Sequence, residues 1–243
     1  MTGGNRRRRR PLLRMLAWAL VATSLVTATT AFAASLSVTS KNLTAFRTCL
    51  VTGTPNTSTA DIDTYVDQSA ATTNNGAAAT MSVRSSNAAN QRIYIRFDLT
   101  KCSPAIPATA SIKTATLRLL VSTLPTACRT EDLFRVTASW TEAGITWNNQ
   151  PFGTSVNNPA SGSRTSSINV GAAPCQNSTN NTYISGWDVA ADVQAYVNGT
   201  ATNYGWMVRD DVENSATART GSFATKNANV LTAAPQLVVT YTT

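Results

Sequence analysis

The chain contains no histidine. That removes the usual Ser-His-Asp and Cys-His nucleophilic arrangements, and every histidine general base. Glutamate is nearly as scarce: Glu131, Glu142 and Glu213 are the only three. A carboxylate pair of the glycoside-hydrolase kind is the enzymatic option that survives. None of the three glutamates sits in a context resembling a catalytic strand end, so the chain is not expected to be an enzyme. There is no Cys-x-x-Cys pair either, which together with the missing histidine argues against a zinc site of the usual ligands. Charged residues are only 13% of the chain. Beyond the N-terminal region no long apolar run occurs, so no membrane span is expected there.

What is present begins with a leader. "NRRRRRPLLR" is a dense basic region, "MLAWALVATSLVTATT" an apolar one, and Ala31–Ala33 ("AFA") offers small residues where a signal peptidase reads. Residues 1–33 are therefore read as a secretory signal peptide. "RRPLLR" (Arg9 to Arg14) also resembles a twin-arginine export signal, and a merely basic region is the other reading. Six arginines leave with this segment. The 20 Lys+Arg of the whole chain fall to 14, against 12 Asp+Glu. The remaining balance of +2 shows no basic stripe, and nucleic acid is not an expected partner.

The four cysteines, Cys49, Cys102, Cys128 and Cys175, read as two disulfides in an exported chain. Three connectivities are open. Cys49–Cys102 with Cys128–Cys175 is favoured, because each bridge then ties an irregular segment to a neighbouring strand end.

Period-two alternation recurs along the chain. In "RIYIRFDL", Ile93, Ile95, Phe97 and Leu99 alternate with Arg92, Tyr94, Arg96 and Asp98. Similar runs occur at 115–123, 133–140, 204–210 and 235–242. Weaker ones occur at 62–67, 80–84, 145–147, 166–170 and 221–224. Ser, Thr, Asn, Gly and Pro clusters separate them. The pattern predicts an all-β fold, an antiparallel β-sandwich of jelly-roll-like character. "DVAADVQAYVNG" is the exception. Val189, Val193, Tyr196 and Val197 fall at helical spacing, with Asp188 as N-cap and Asn198-Gly199 as the stop. This is one short helix with a core-facing stripe. The Thr-rich segment 34–59 can add an edge strand, and 60–243 forms the sandwich.

Three residue groups are candidates for binding. Arg92, Tyr94 and Arg96 alternate on the side of their strand away from Ile93 and Ile95, which suits an acidic sugar; cross-strand pairing on a solvated face is the other account. Asn148, Asn149 and Gln150 follow Trp147 just past a strand end, where amides can hold backbone groups or meet a ligand. Asp61, Asp63 and Asp67 share one strand parity. They make a structural calcium possible, with a solvated strand face as the alternative. A second acidic group is Asp210, Asp211 and Glu213 beside Asn214. No other cofactor is expected. Asn-x-Ser/Thr triplets begin at Asn42, Asn56, Asn177, Asn180 and Asn198. Trp140 is in phase with Phe134, Val136 and Ala138, and Trp147 with Ile145. Both indoles are expected to point inward where two sheets meet, with "TEAG" joining paired strands.

Several stretches taken in order carry a resemblance. They are "ADIDTYVDQSAATTNNGAAATMSVRS", "RIYIRFDLT", "IKTATLRLLV", "FRVTASWTEAGITWNNQP", "WDVAADVQAYVNGTATNYGWMVRD" and "APQLVVTY". The chain resembles the DNRLRE-domain family, also grouped as carbohydrate-binding module family 96, over about residues 60–243. The Trp-Thr-Glu…Thr-Trp-Asn-Asn-Gln-Pro block and the Asn-Tyr-Gly block near residue 204 are its most specific parts. The resemblance implies a secreted or cell-surface β-sandwich that binds polysaccharide without catalysis, acidic or cell-wall polysaccharide in particular. Family members usually sit within larger chains, whereas here the module is expected to stand alone behind its leader. That favours, as the alternative, a structural surface or matrix protein binding proteins or itself.

Overall fold

The computed structural model describes residues 46–53, 61–228 and 231–243. The leader assigned to residues 1–33 and most of the 34–59 segment lie outside them.

The described residues form strands β1 (Phe46–Thr52), β2 (Ile62–Asp67), β3 (Thr80–Ser85), β4 (Gln91–Arg96), β5 (Ser111–Arg118), β6 (Val121–Thr123), β7 (Arg129–Arg135), β8 (Ser166–Val170), β9 (Trp187–Asp188), β10 (Trp206–Asp210), β11 (Arg219–Ala224) and β12 (Gln236–Thr242). One α-helix, α1 (Ala190–Val197), lies between β9 and β10. The smaller sheet runs β1-β12-β5-β9. The larger runs β6-β11-β3-β4-β10-β7-β8, with β2 pairing along β4. Every pairing between these strands is antiparallel. Among the described residues the fold is the all-β sandwich with one α-helix, as strand alternation and the helical spacing of 189–197 predict.

Side chains of successive strand residues leave opposite faces of a sheet. The larger sheet uses both faces for core. Ile93, Ile95, Leu133, Trp206 and Val208 face inward and join Leu117, Leu119, Leu237 and Val239 of the smaller sheet's side in the main core. Their neighbours Tyr94, Phe134 and Met207 face outward. There they meet Ile62, Val66 and Val136, and the loop residues Trp140, Ile145 and Trp147 close a second core over them. The two indoles are buried as expected, but outside the sandwich rather than between its sheets.

That second layer corrects several strand boundaries. The run 133–140 leaves the sheet at Arg135, since its chain must cross the outer face, and Ala138 is exposed. Residues 145–147 form no strand. Trp147–Asn149 is instead a 3-10 turn capped by Thr146. The 115–123 run is divided between β5 and β6.

Helix α1 covers a sheet edge. β9 pairs β5 only at Thr116 and Leu117, leaving its start unpaired on that side. Gln194 fills the gap: its Oε1 accepts from Ile112 N (2.8 Å) and its Nε2 donates to Ala110 O (3.0 Å). An amide side chain thus satisfies edge backbone groups as a strand would. Val189, Val193 and Tyr196 are buried in the main core. Asp188 accepts from Ala190 N (2.9 Å), although the N-cap position by backbone geometry is Val189. Gly199, at φ +71°, follows the last turn.

Cys49 bonds Cys102 and Cys128 bonds Cys175. The first ties edge strand β1 to the turn after β4. The second ties the start of β7 to the loop after β8.

Candidate functional site

The sequence brings Arg92, Tyr94 and Gln150 together, but beneath the surface. The strand expected to be half-solvated is covered on both faces, and Arg92 and Tyr94 are fully buried. The Arg92 guanidinium forks onto Glu213 (2.7 and 2.8 Å), and reaches Gln150 Oε1 (3.2 Å), Gly153 O (3.1 Å) and Ser155 O (2.7 Å). It also lies 4.6 Å from the Trp147 ring centroid. Tyr94 donates to Gln150 Oε1 (3.0 Å), and Gln150 Nε2 donates to Trp147 O (3.0 Å). Burial raises the Tyr94 pKa and keeps the phenol protonated. This network clamps the long loop to the sheet. Its donors and acceptors are spent there.

Arg96 ends β4 partly buried, opposite Ile62. Asn148 and Asn149 are exposed. Asn149 caps its own turn: Oδ1 accepts from Thr146 N (2.7 Å) and Oγ1 (3.2 Å), while Nδ2 donates to Gly144 O (2.9 Å).

The strand parity that suggested a solvated acidic face gives a buried one, for Asp61 and Asp63 are almost fully enclosed. Asp61 pairs with Lys101. Asp63 accepts from Lys226 N (2.8 Å) through Oδ2, and its Oδ1 has no partner among the described residues. Burial, above all, raises the Asp63 pKa to about 7, despite the Lys226 amide. Asp67 is half-buried, which works to raise its pKa. Hydrogen bonds from Ser69 and Gln91 and the charge of Arg84 outweigh this and hold it below the ordinary value. Among the described residues no three Asp, Glu, Cys or His side chains gather where a metal ion could sit. In the second acidic group, Asp210 and Asp211 both take Arg129 (2.6 and 2.7 Å), and Glu213 belongs to Arg92.

The most specific sequence blocks therefore have structural work. Glu142 accepts from Asp63 N (3.2 Å) and Lys226 Nζ (2.8 Å). In "NYG", Asn203 donates to Phe97 O (2.9 Å) and accepts from Gly205 N (3.1 Å). Gly205 has φ +76°, and a Cβ there would lie 2.1 Å from Ile95 O. Only glycine fits so close to the strand.

Two open clefts flank the second core. One, of about 360 Å³, is lined by Phe134, Arg135, Thr137, Phe152, Pro159, Ser163, Arg164, Thr165 and Asp192. β7 supplies Phe134 and Arg135, the loop 152–165 its wall, and α1 Asp192. Arg135 lies 3.4 Å from Asp192 and Arg164 3.6 Å from Asp132; the two arginine side chains stay 40% and 44% exposed. Asp192 is held by Trp206 Nε1 (2.9 Å) and Thr165 Oγ1 (2.8 Å). Buried Arg209 fixes the wall through Pro159 O (2.7 Å), Ser161 Oγ (3.1 Å) and the Asp211 carbonyl (3.0 Å), with its guanidinium 5.0 Å from the Phe134 ring. The second cleft, about 350 Å³, is lined by Ser139, Trp140, Thr141, Gly144, Ile145 and Asn149.

Of the residues marked from sequence, only Asn149 lines either cleft. Arg135, Phe152 and Arg164 were missed. One signal was available, since Arg164 is the only Lys or Arg between Arg135 and Arg209. Their convergence was not legible, because it depends on the loop folding back over the sheet.

Comparison with curated proteins finds no match. The family model of carbohydrate-binding module family 96 matches residues 54–241, spanning β2 to nearly the end of β12. A sandwich built on the two sequence blocks that clamp this loop, matched over most of its length, places the chain in a family of binding modules: it belongs to carbohydrate-binding module family 96.

Proposed function

We propose that the chain is a secreted, non-catalytic module that binds an acidic polysaccharide through the arginine-lined cleft. One observation carries this reading: Arg135 and Arg164, both partly exposed, flank Phe152 in one open groove. A sugar ring presents C–H groups to an aromatic face, and a uronate presents a carboxylate that an arginine fork recognises. The existing partners Asp192 and Asp132 lie 3.4 and 3.6 Å away and are themselves buried, while the two arginines keep a solvent-facing side. A ligand carboxylate would approach that solvent-facing side and share the guanidinium groups rather than replace the buried aspartates.

Secretion is supported by the leader and by two disulfides, which persist in oxidising compartments. No described helix is long and apolar enough to cross a membrane. A non-catalytic role is supported by the absence of histidine and by the commitment of Glu142 and Glu213 to cationic side chains. Native affinity gels with a polyuronate test the reading. Retardation in that gel, fading as salt rises, is expected; free migration in polyuronate and in neutral glucan gels alike would overturn it.

A second reading, self-association as a matrix protein, is favoured by Phe46 and Leu50, 67% and 55% exposed on edge strand β1. Light scattering at rising concentration checks it: ordered growth supports assembly, and a constant monomer mass removes it.

A further inference from the structure

We propose that the cleft beside Trp140 is a second sugar subsite, selective for an uncharged pyranose. This rests on the polysaccharide-binding reading, but on different residues.

Among the described residues, no charged side chain lines this cleft. Glu142, next in sequence to Thr141, is turned to Lys226 and the Asp63 amide. A carboxylate entering here would lose water and gain no cation, so anionic sugars are disfavoured. The lining does suit hydroxyls. Ser139 and Thr141 are exposed, and their hydroxyls make no hydrogen bond among the described residues. Asn149 is oriented by three bonds to its own turn, and these use one of the two hydrogens on Nδ2. The second hydrogen is held in a fixed direction by the same turn, so donating it costs little ordering. Ile145 and Trp140, 3% and 7% exposed, form only a narrow apolar floor beneath these polar groups, and Trp140 is braced by Nε1 donating to Tyr204 O (2.8 Å). A Cβ at Gly144 would fall 2.7 Å from Thr141 Oγ1, so glycine there leaves that hydroxyl uncrowded. Three polar groups above a buried apolar floor suit the hydroxyls of one neutral sugar. With the cationic cleft on the same second core, the module reads a polysaccharide at two chemically different places.

The test uses NMR titration of the folded chain with cellobiose, mannobiose and a tetra-uronate. A neutral disaccharide is expected to shift the Trp140 indole N–H and the Asn149 side-chain amide, and the tetra-uronate is expected not to displace it. Thr141→Trp, and separately Ser139→Trp, should each weaken neutral binding at least tenfold and leave tetra-uronate binding unchanged. Arg135→Ala/Arg164→Ala should do the reverse. Neutral sugars that leave both resonances unmoved would overturn the second subsite, even if the tetra-uronate binds. So would displacement by the tetra-uronate, which would mean one shared site. Neutral binding at Trp140 without any tetra-uronate binding would uphold this inference and sink the acidic-sugar reading.

Discussion

Trp147 stacks beneath the Arg92 guanidinium and carries the Gln150 hydrogen bond on its carbonyl, so its ring fills space that nothing else occupies. Trp147→Ala should cost about 3–5 kcal/mol, as large-to-small core changes do. Urea denaturation checks this; a variant as stable as the parent would place the indole outside the core. Glu131 has the opposite problem. It is buried, Oε2 has no partner among the described residues, and Asp210 faces it across the ladder. Burial, reinforced by Asp210, raises its pKa to about 8. The native state thus holds a proton that the unfolded chain gives up near the ordinary 4.5. Stability is full below that value and is lost as pH rises through about 8, by roughly 1 kcal/mol per pH unit. Asp63, raised to about 7, adds to the decline. Melting temperature should fall from pH 5 to pH 8, and Glu131→Gln should flatten much of that slope. A melting temperature that rises over this range would contradict the assignment. Strand parity could mark Arg92 and Tyr94 as sharing a face. It could not say whether water or a returning loop covers that face.

The loop between β7 and β8 behaves as a third layer, held by Arg92 and Arg209 through its carbonyls. The sequence showed this element only as polar residues following two tryptophans. Alternation marks most of the strands and helical spacing marks α1, because these patterns are local, while the ends of β7 and the 145–147 segment depend on the tertiary layer above the sheet. The 3-10 turn at Trp147–Asn149 imitates a strand by its Ile145/Trp147 phasing, and its true form follows from the tertiary clamp on Gln150. At the opposite side of the sandwich, β1 pairs, among the described residues, only with β12 and is bonded through Cys49. Closing a loop of sequence separation 53 stabilises by about 4 kcal/mol in the chain-entropy account. Cys49→Ser/Cys102→Ser should therefore lower global stability and speed amide exchange in β1 before that in β12. Unchanged exchange at Leu50 and Val51 would show that packing alone holds the strand.

For the molecule as a whole, the sandwich is a rigid platform, and binding is assigned to what lies over the outer face of its larger sheet. The Trp-Thr-Glu…Thr-Trp-Asn-Asn-Gln-Pro and Asn-Tyr-Gly blocks that carry the sequence resemblance clamp that layer, while the residues assigned to binding sit in its walls. The family resemblance could thus be read from sequence while the site could not. Polyuronate affinity should weaken with ionic strength, because the arginine cleft is partly open to solvent and screened within about 10 Å at 0.1 M salt. The central claim is tested most directly by calorimetric titration of a polyuronate into the parent chain and into Arg135→Ala/Arg164→Ala, with melting temperatures measured alongside. The account predicts at least a tenfold loss of affinity in the variant, measured at a temperature where the melting curves show both proteins folded; equal affinity in the two proteins would contradict it.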